Sequence, residues 1–218
     1  MLFSVVSLLT SAAAVSAAAL PSSALSKRGG SVSVTPHAQY SSSMGVLGCK
    51  INTNRVAYWP SMPDCDNLCV KVSANGRSVH LLKIDHSGGA YDISYDAYNY
   101  LVTGQNATVD PIAGGGVAAT YEFAPMSECA DLLDNGKLPL TAANAMGTVA
   151  SCSANSWVGQ NYALYNIADM VCTYGVDEPC TLDGNLPVCE HQLGIQTPLE
   201  GHTVWNIEYP TGKLVAAL

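Results

Sequence analysis

Between Leu68 and Ala124 the hydrophobic pattern changes period twice, and this limits the fold more than any other feature of the 218-residue chain. In "LCVKVS" the apolar Leu68, Val70 and Val72 alternate with Cys69, Lys71 and Ser73, the period of a half-buried strand. Asn75-Gly76 supplies the positive φ angles of a tight hairpin, and Ser78 to Asp85 returns as a second strand. In "YDISYDAYNYLVTG" the period becomes helical. Ser94 stands at the N-cap, Asp96 in the first turn, Ile93 and Tyr98 at staple positions, and Gly104 past the end. Ala97, Tyr98 and Leu101 then face the core. "GVAATYEFA" returns to period two, with Val117, Ala119, Tyr121 and Phe123 on one face.

The opening residues point to export. "MLFSVVSLLTSAAAVSAAAL" joins an apolar run too short to span a bilayer to the small residues Ala17, Ala18 and Ala19, so residues 1–19 read as a signal peptide. Residues 20–28 read as a propeptide ending in the dibasic Lys27-Arg28. Trimming there leaves seven basic against seventeen acidic residues, a formal charge of −10. A nucleic-acid partner is excluded on that balance, since phosphate affinity needs clustered Lys and Arg. No later stretch reads as a membrane span.

All eight cysteines (Cys49, Cys65, Cys69, Cys129, Cys152, Cys172, Cys180 and Cys189) follow the expected processing site. An even count in an exported chain argues for four disulfides, in one of about 105 pairings. Cys65 and Cys69 lack the second close pair that a zinc site needs, so neither metal nor cofactor is expected. Asn106-Ala107-Thr108 is a glycosylation sequon.

The chain divides on texture into an N-terminal arm over 29–44, a β-rich unit over 45–124 and a cysteine-rich extension over 125–218. In the extension, "SECADLLDNG" reads as a short helix begun by Ser127, "NSWVGQNYALYNIADM" as a helix weakened by Gly159, and "TVWNIEY" as a last strand before the turn at Pro210 to Lys213. No internal repeat is present.

Three stretches of the β-rich unit, "CVKVSANGRSVHLLKID", "YDISYDAYNYL" and "GVAATYEFA", resemble in order the motifs of barwin, the expansins, family 45 cellulases and the rare-lipoprotein-A proteins. The resemblance implies a mainly β, α+β chain: a six-stranded double-psi β-barrel followed by a disulfide-rich extension. It also implies a polysaccharide groove at the loops after the strands. Asp92 matches the aspartate that is the general acid of the cellulases and that expansins keep for activity. Where barwin and expansins carry a cysteine after the first aspartate, this chain has His86, so one family disulfide is missing or rerouted. The cellulase base has only a loose counterpart in "NTNRVAYWPSMPDC", whose first acid is Asp64. The histidine used by the rare-lipoprotein-A enzymes has none between Gln39 and Val79.

Read for chemistry, Asp92 is the candidate general acid, with Asp85 as a neighbouring charge able to hold its proton. Inverting hydrolysis also needs a second carboxylate about 6.5–9.5 Å away, and Asp85 and Asp64 are the candidates. The competing reading makes Asp92 a cap at the helix start and Asp85 a tie for a loop. Tyr58, Trp59 and Tyr91 can stack on sugar rings while keeping a polar edge, or Trp59 can be core. His80 alternates with Leu82 and Ile84 as a strand-face residue. His86, between the two aspartates, can tune their charge or relay a proton. The expected function is a secreted protein that binds cell-wall or other extracellular polysaccharide without efficient hydrolysis. The alternatives are an effector or defence-type protein with a protein partner, and a glycan-cleaving enzyme of glycoside hydrolase or lytic transglycosylase type using Asp92.

Overall fold

The hairpin expected at Asn75-Gly76 forms in the computed structural model, which describes residues 29–218. Both turn residues have positive φ, 51° and 76°, and they join β3 (Cys69–Ala74) to β4 (Arg77–His86) with Ala74 opposite Arg77. The expected signal peptide and propeptide lie outside the described residues.

Around that hairpin a barrel closes in the order β1 (Gly29–His37), β5 (Tyr91–Ser94), β2 (Val56–Trp59), β4, β3, β6 (Val117–Phe123). β1 runs parallel to β5 and β2 parallel to β4, while every other neighbouring pair is antiparallel. This is the six-stranded double-psi barrel that the motifs implied. The expectation of an irregular arm over 29–44 is corrected here, because residues 29–37 are a barrel strand paired on both sides. The signal in sequence was faint: only Val32 and Val34 mark the inward face among glycines and hydroxyl residues.

Inward-facing Val34, Ala57, Trp59, Val70, Val72, Leu81, Ile93 and Ala119 fill the barrel, and α1 (Tyr95–Thr103) adds Ala97, Tyr98 and Leu101 to the same core. Gly104, at φ 85°, ends that helix by donating its N–H to the Tyr100 carbonyl at 2.8 Å. Ser94 holds the N-cap position without capping, for its hydroxyl donates instead to the Asn54 carbonyl at 2.6 Å.

A second core lies on the outside of the barrel. Val56, Tyr58, Leu68, Leu82 and Ile84, facing outward from or beside β2, β3 and β4, pack against Leu132, Leu138, Leu140, Val158, Leu164 and Ile167 of the extension. The extension carries a four-stranded sheet, in order β10 (Leu186–Val188), β9 (Gly175–Asp183), β8 (Tyr162–Ile167), β7 (Leu138–Thr141), two short helices α2 (Met146–Ser151) and α3 (Trp157–Asn161), and a hairpin of β11 (Trp205–Ile207) and β12 (Leu214–Ala216). Three of the four disulfides, Cys49–Cys172, Cys65–Cys152 and Cys69–Cys129, tie residues 49–69 to the extension, and Cys180–Cys189 closes a loop within it.

Two helix expectations in the extension are corrected. "SECADLLDNG" forms a 3₁₀ turn over Met126–Leu132, pinned by Cys129 to Cys69. "NSWVGQNYALYNIADM" divides into α3 and β8, because parallel pairing of β8 with β7 overrides the helical pattern after Asn161. Gly159 sits so close to Ser153 that a Cβ there would lie 2.1 Å from its carbonyl oxygen.

Candidate functional site

Strand register sets the two opening candidates in one row. Tyr58 on β2 stands opposite Asp85 on β4 and Asp92 on β5, and Asp92 in turn stands opposite Thr35 on β1. A register shift between Ala57 and Tyr58 turns Asp85 to the outer face, which strict alternation from Leu82 would deny it. Two strand spacings separate Asp85 from Asp92, on the order of 10 Å, and the Tyr58 ring lies between them.

Asp85 is 8% exposed and fully engaged. It accepts from the Ser41 hydroxyl at 2.5 Å, the Ser43 N–H at 2.9 Å and the His86 N–H at 2.8 Å. These bonds fold residues 38–44 over the end of the barrel, so Asp85 is the loop tie that the competing reading foresaw. Asp92 is half-buried and accepts a short hydrogen bond from the Thr35 hydroxyl. It lies on β5 ahead of the helix, and the bond it makes is to a strand neighbour.

Asp64 accepts from the N–H groups of Asp66 (2.8 Å) and Asn67 (2.5 Å) and from the Asn67 amide in the loop after β2. Partial burial pushes its carboxyl up, but the donors from Asn67 and Asp66 and the charge of Lys83 outweigh this and hold it below the usual carboxylate range. Each acid offered as a partner for Asp92 is therefore committed to its own loop. Lys83 itself is buried, with Nζ donating to the Met62 carbonyl at 2.7 Å, and desolvation lowers its pKa.

The aromatic candidates separate sharply. Tyr58 is 3% exposed, under the His37 ring at a centroid distance of 4.3 Å, and burial followed by the Asp85 charge raises its hydroxyl well above the ordinary value. Its expected role as a sugar platform is corrected, since neither ring face is open. Trp59 is 1% exposed and points into the barrel, which corrects the same expectation for it. Yet Trp59 is the floor of an aromatic cluster. Tyr91, Tyr121 and Phe123, all half-buried, lie 5.3, 4.7 and 6.1 Å from it, and the Tyr91 and Tyr121 rings are 29° from parallel. The Trp59 indole N–H is buried and has no hydrogen-bond partner among the described residues.

These four rings stand at strand ends, where β2 and β6 stop and β5 starts. Gly30, opposite Tyr121, leaves room for the Tyr121 ring, which a Cβ would approach to 3.2 Å. Tyr121 and Phe123 were legible as inward strand positions, but nothing in the pattern marked them as neighbours of Trp59 and Tyr91. His86 is exposed and its ring faces Asp85, Nδ1 to Oδ1 3.8 Å. His80 pairs with Glu128 across the outer face at 2.8 Å, in keeping with its strand-face reading. Asn106 is exposed in its loop. Trp205 on β11, read only as strand, is 51% exposed.

One further titratable pair sits in the extension. Glu178 accepts from the Asn166 amide at 2.8 Å, the His191 N–H at 2.9 Å and His191 Nδ1 at 2.7 Å. The His191 bonds, against a smaller effect of burial, lower Glu178 to about 2, and the same contact raises His191. Among the described residues no group of three or more His, Cys, Asp or Glu side chains is arranged to hold a metal, and no helix is long and apolar enough to cross a membrane.

No match was found among the curated proteins. Among solved structures, cerato-platanin 3 from M. perniciosa is 15% identical over 45% of this chain and 98% of its own, with a TM-score of 0.35. The solution structure of the fungal elicitor cerato-platanin is 21% identical over 46% of this chain and 98% of its own, also at 0.35. The cerato-platanin family model matches residues 33–132, a stretch that takes in β1 from Ser33 through β6 and the 3₁₀ turn, so the barrel half of this chain is similar to the cerato-platanins.

Proposed function

We propose that this is a secreted, cell-wall-associated protein of the barwin and expansin kind that binds polysaccharide without hydrolysing it. The observation that carries the reading is the cluster of half-buried Tyr91, Tyr121 and Phe123 over Trp59, with the unpartnered indole N–H at its floor. Aromatic faces pack on the apolar faces of sugar rings, and the tyrosine hydroxyls and nearby polar groups meet the sugar hydroxyls. Asp92, held by Thr35, is the acceptor at the neighbouring edge, and the exposed His86, opposite Trp59 at the end of β4, adds a polar ring at the same mouth. Four disulfides with no free cysteine suit an oxidising compartment, and the exposed Asn106 carries a glycan there. Cell-wall association also accords with the match to cerato-platanins over 33–132.

The non-hydrolytic part rests on the acids. Asp85 and Asp64 spend their oxygens on backbone and hydroxyl donors, so neither candidate partner of Asp92 is a free carboxylate able to activate water across a sugar. The test is co-sedimentation with chitin, cellulose and β-glucan. The oxidised protein is retained on at least one of them, and Tyr121→Ala weakens retention about tenfold or more. Equal behaviour of wild type and variant, or no retention on any polymer, overturns the reading.

A second reading, a protein partner, is favoured by one observation. The β11–β12 hairpin of the extension presents Trp205 and Leu214 to solvent on one face. Retention on polysaccharide that survives deletion of these side chains separates the two.

A further inference from the structure

Resting on the polysaccharide reading above, we infer that an open trough on the outside of β1, β6 and the β3–β4 hairpin is a second binding surface, and that it takes an extended, uncharged glycan strand. The trough has a volume of about 600 Å³, within the usual range of ligand sites.

Its floor follows from strand register. Ser31 on β1 stands opposite Thr120 on β6, Thr120 opposite Ser73 on β3, and Ser73 opposite Ser78 on β4. Four hydroxyl side chains therefore run in one line across four strands, and all four line the trough. Their neighbours Val72, Ala119 and Val79 are buried in the barrel, so the line faces outward. None of the four hydroxyls bonds to another side chain or to backbone among the described residues.

Successive members of the line are spaced by the strand separation, about 4.8 Å, close to the rise per sugar of an extended β-linked glycan. Each hydroxyl both donates and accepts, as sugar hydroxyls do. The two flanking cations are already engaged. Lys71 Nζ lies 3.6 Å from a Glu122 carboxylate oxygen, and the Arg77 guanidinium donates to the carbonyls of Leu101, Val102 and Thr103 at the end of α1. On an acidic protein, a trough whose cations are engaged in this way suits a neutral polymer and disfavours an anionic one.

Without an aromatic platform, this surface engages the edge of a glycan through hydrogen bonds. It adds to the aromatic cluster as a second contact of one polymer, where modest contacts combine. On β1 the outward residues Ser33 and Thr35 continue from Ser31 toward Asp92, joining the two surfaces.

The test compares wild type, a Ser73→Ala/Thr120→Val double variant and a Thr120→Arg variant. Each is titrated with cellohexaose and chitohexaose and with their trimers, and folding is checked by thermal unfolding. The inference expects both variants to lose roughly tenfold in hexamer affinity, with trimer binding at the aromatic cluster kept. Wild-type binding with both variants unchanged overturns the trough while leaving the polysaccharide reading intact. Wild type that binds neither oligomer nor polymer overturns both.

Discussion

Asp85 and Asp92 share a row of the barrel, yet their removal should have very unequal consequences for stability. Asp85 is buried and satisfies a hydroxyl and two backbone N–H groups of residues 41–43 and 86. In Asp85→Ala these donors are left to find water or stay unpaired, at about 1–3 kcal/mol for each one that stays buried. A loss of roughly 3 kcal/mol is expected, tempered by rehydration of the loop end. With a urea slope of about 2–3 kcal/mol/M for a domain of this size, the unfolding midpoint should fall by about 1 M or more. Asp92 is half-buried and accepts from one side-chain hydroxyl that can rotate to water, so Asp92→Ala should cost below about 1 kcal/mol. Urea unfolding with the disulfides intact measures both. If Asp92→Ala lowers the midpoint as far as Asp85→Ala does, the division into a structural and a free aspartate is refuted.

Other consequences follow from the same geometry. The Cys69–Cys129 bridge closes 60 residues and Cys180–Cys189 only 9; by loop entropy the paired Cys→Ala replacements should cost roughly 4 and 2–3 kcal/mol respectively, read as midpoint shifts. Among the three tryptophans, acrylamide should quench Trp205 readily and leave Trp59 emitting, which Trp205→Phe resolves by removing the accessible component. The Glu178–His191 contact has a pH window. Glu178, depressed to about 2, contributes above its unfolded value near 4.5 and loses that contribution as pH falls through about 2. His191, raised from 6.5, contributes fully below 6.5 and loses that contribution as pH rises through its higher folded value. Amide protection at Gly194, bound to Asn166, should therefore be greatest between about 4.5 and 6.5 and flat with pH in Glu178→Gln.

The barrel was legible where side chains carry a period. Val70 and Val72, the Asn75-Gly76 turn and the helix ending at Gly104 each advertise a local preference that the fold obeys. β1 was missed because glycine, serine and threonine give almost no hydrophobic contrast, and its pairing with β5 and β6 is set by partners more than fifty residues away. β8 was missed because "YALYN" suits either a helix or a strand until β7 lies beside it. At the site, the setting of each candidate side chain depends on closure of the barrel and on the extension. Trp59 and Tyr91 do meet, but inside the barrel mouth and with Tyr121 and Phe123, a meeting fixed by closure of the sheet. Burial of Tyr58 depends on His37 and on the extension, whose packing on the barrel leaves no local mark in sequence.

Binding without cleavage is best tested in one incubation read two ways. Wild type, Tyr91→Ala/Tyr121→Ala and Asp92→Asn are mixed with the polymer that retains the wild type, and bound protein and new reducing ends are measured over time. The account predicts saturable wild-type binding that the tyrosine pair abolishes, with reducing ends no higher for wild type than for Asp92→Asn. Reducing ends that accumulate with wild type and vanish in Asp92→Asn, or binding indifferent to the two tyrosines, would contradict it.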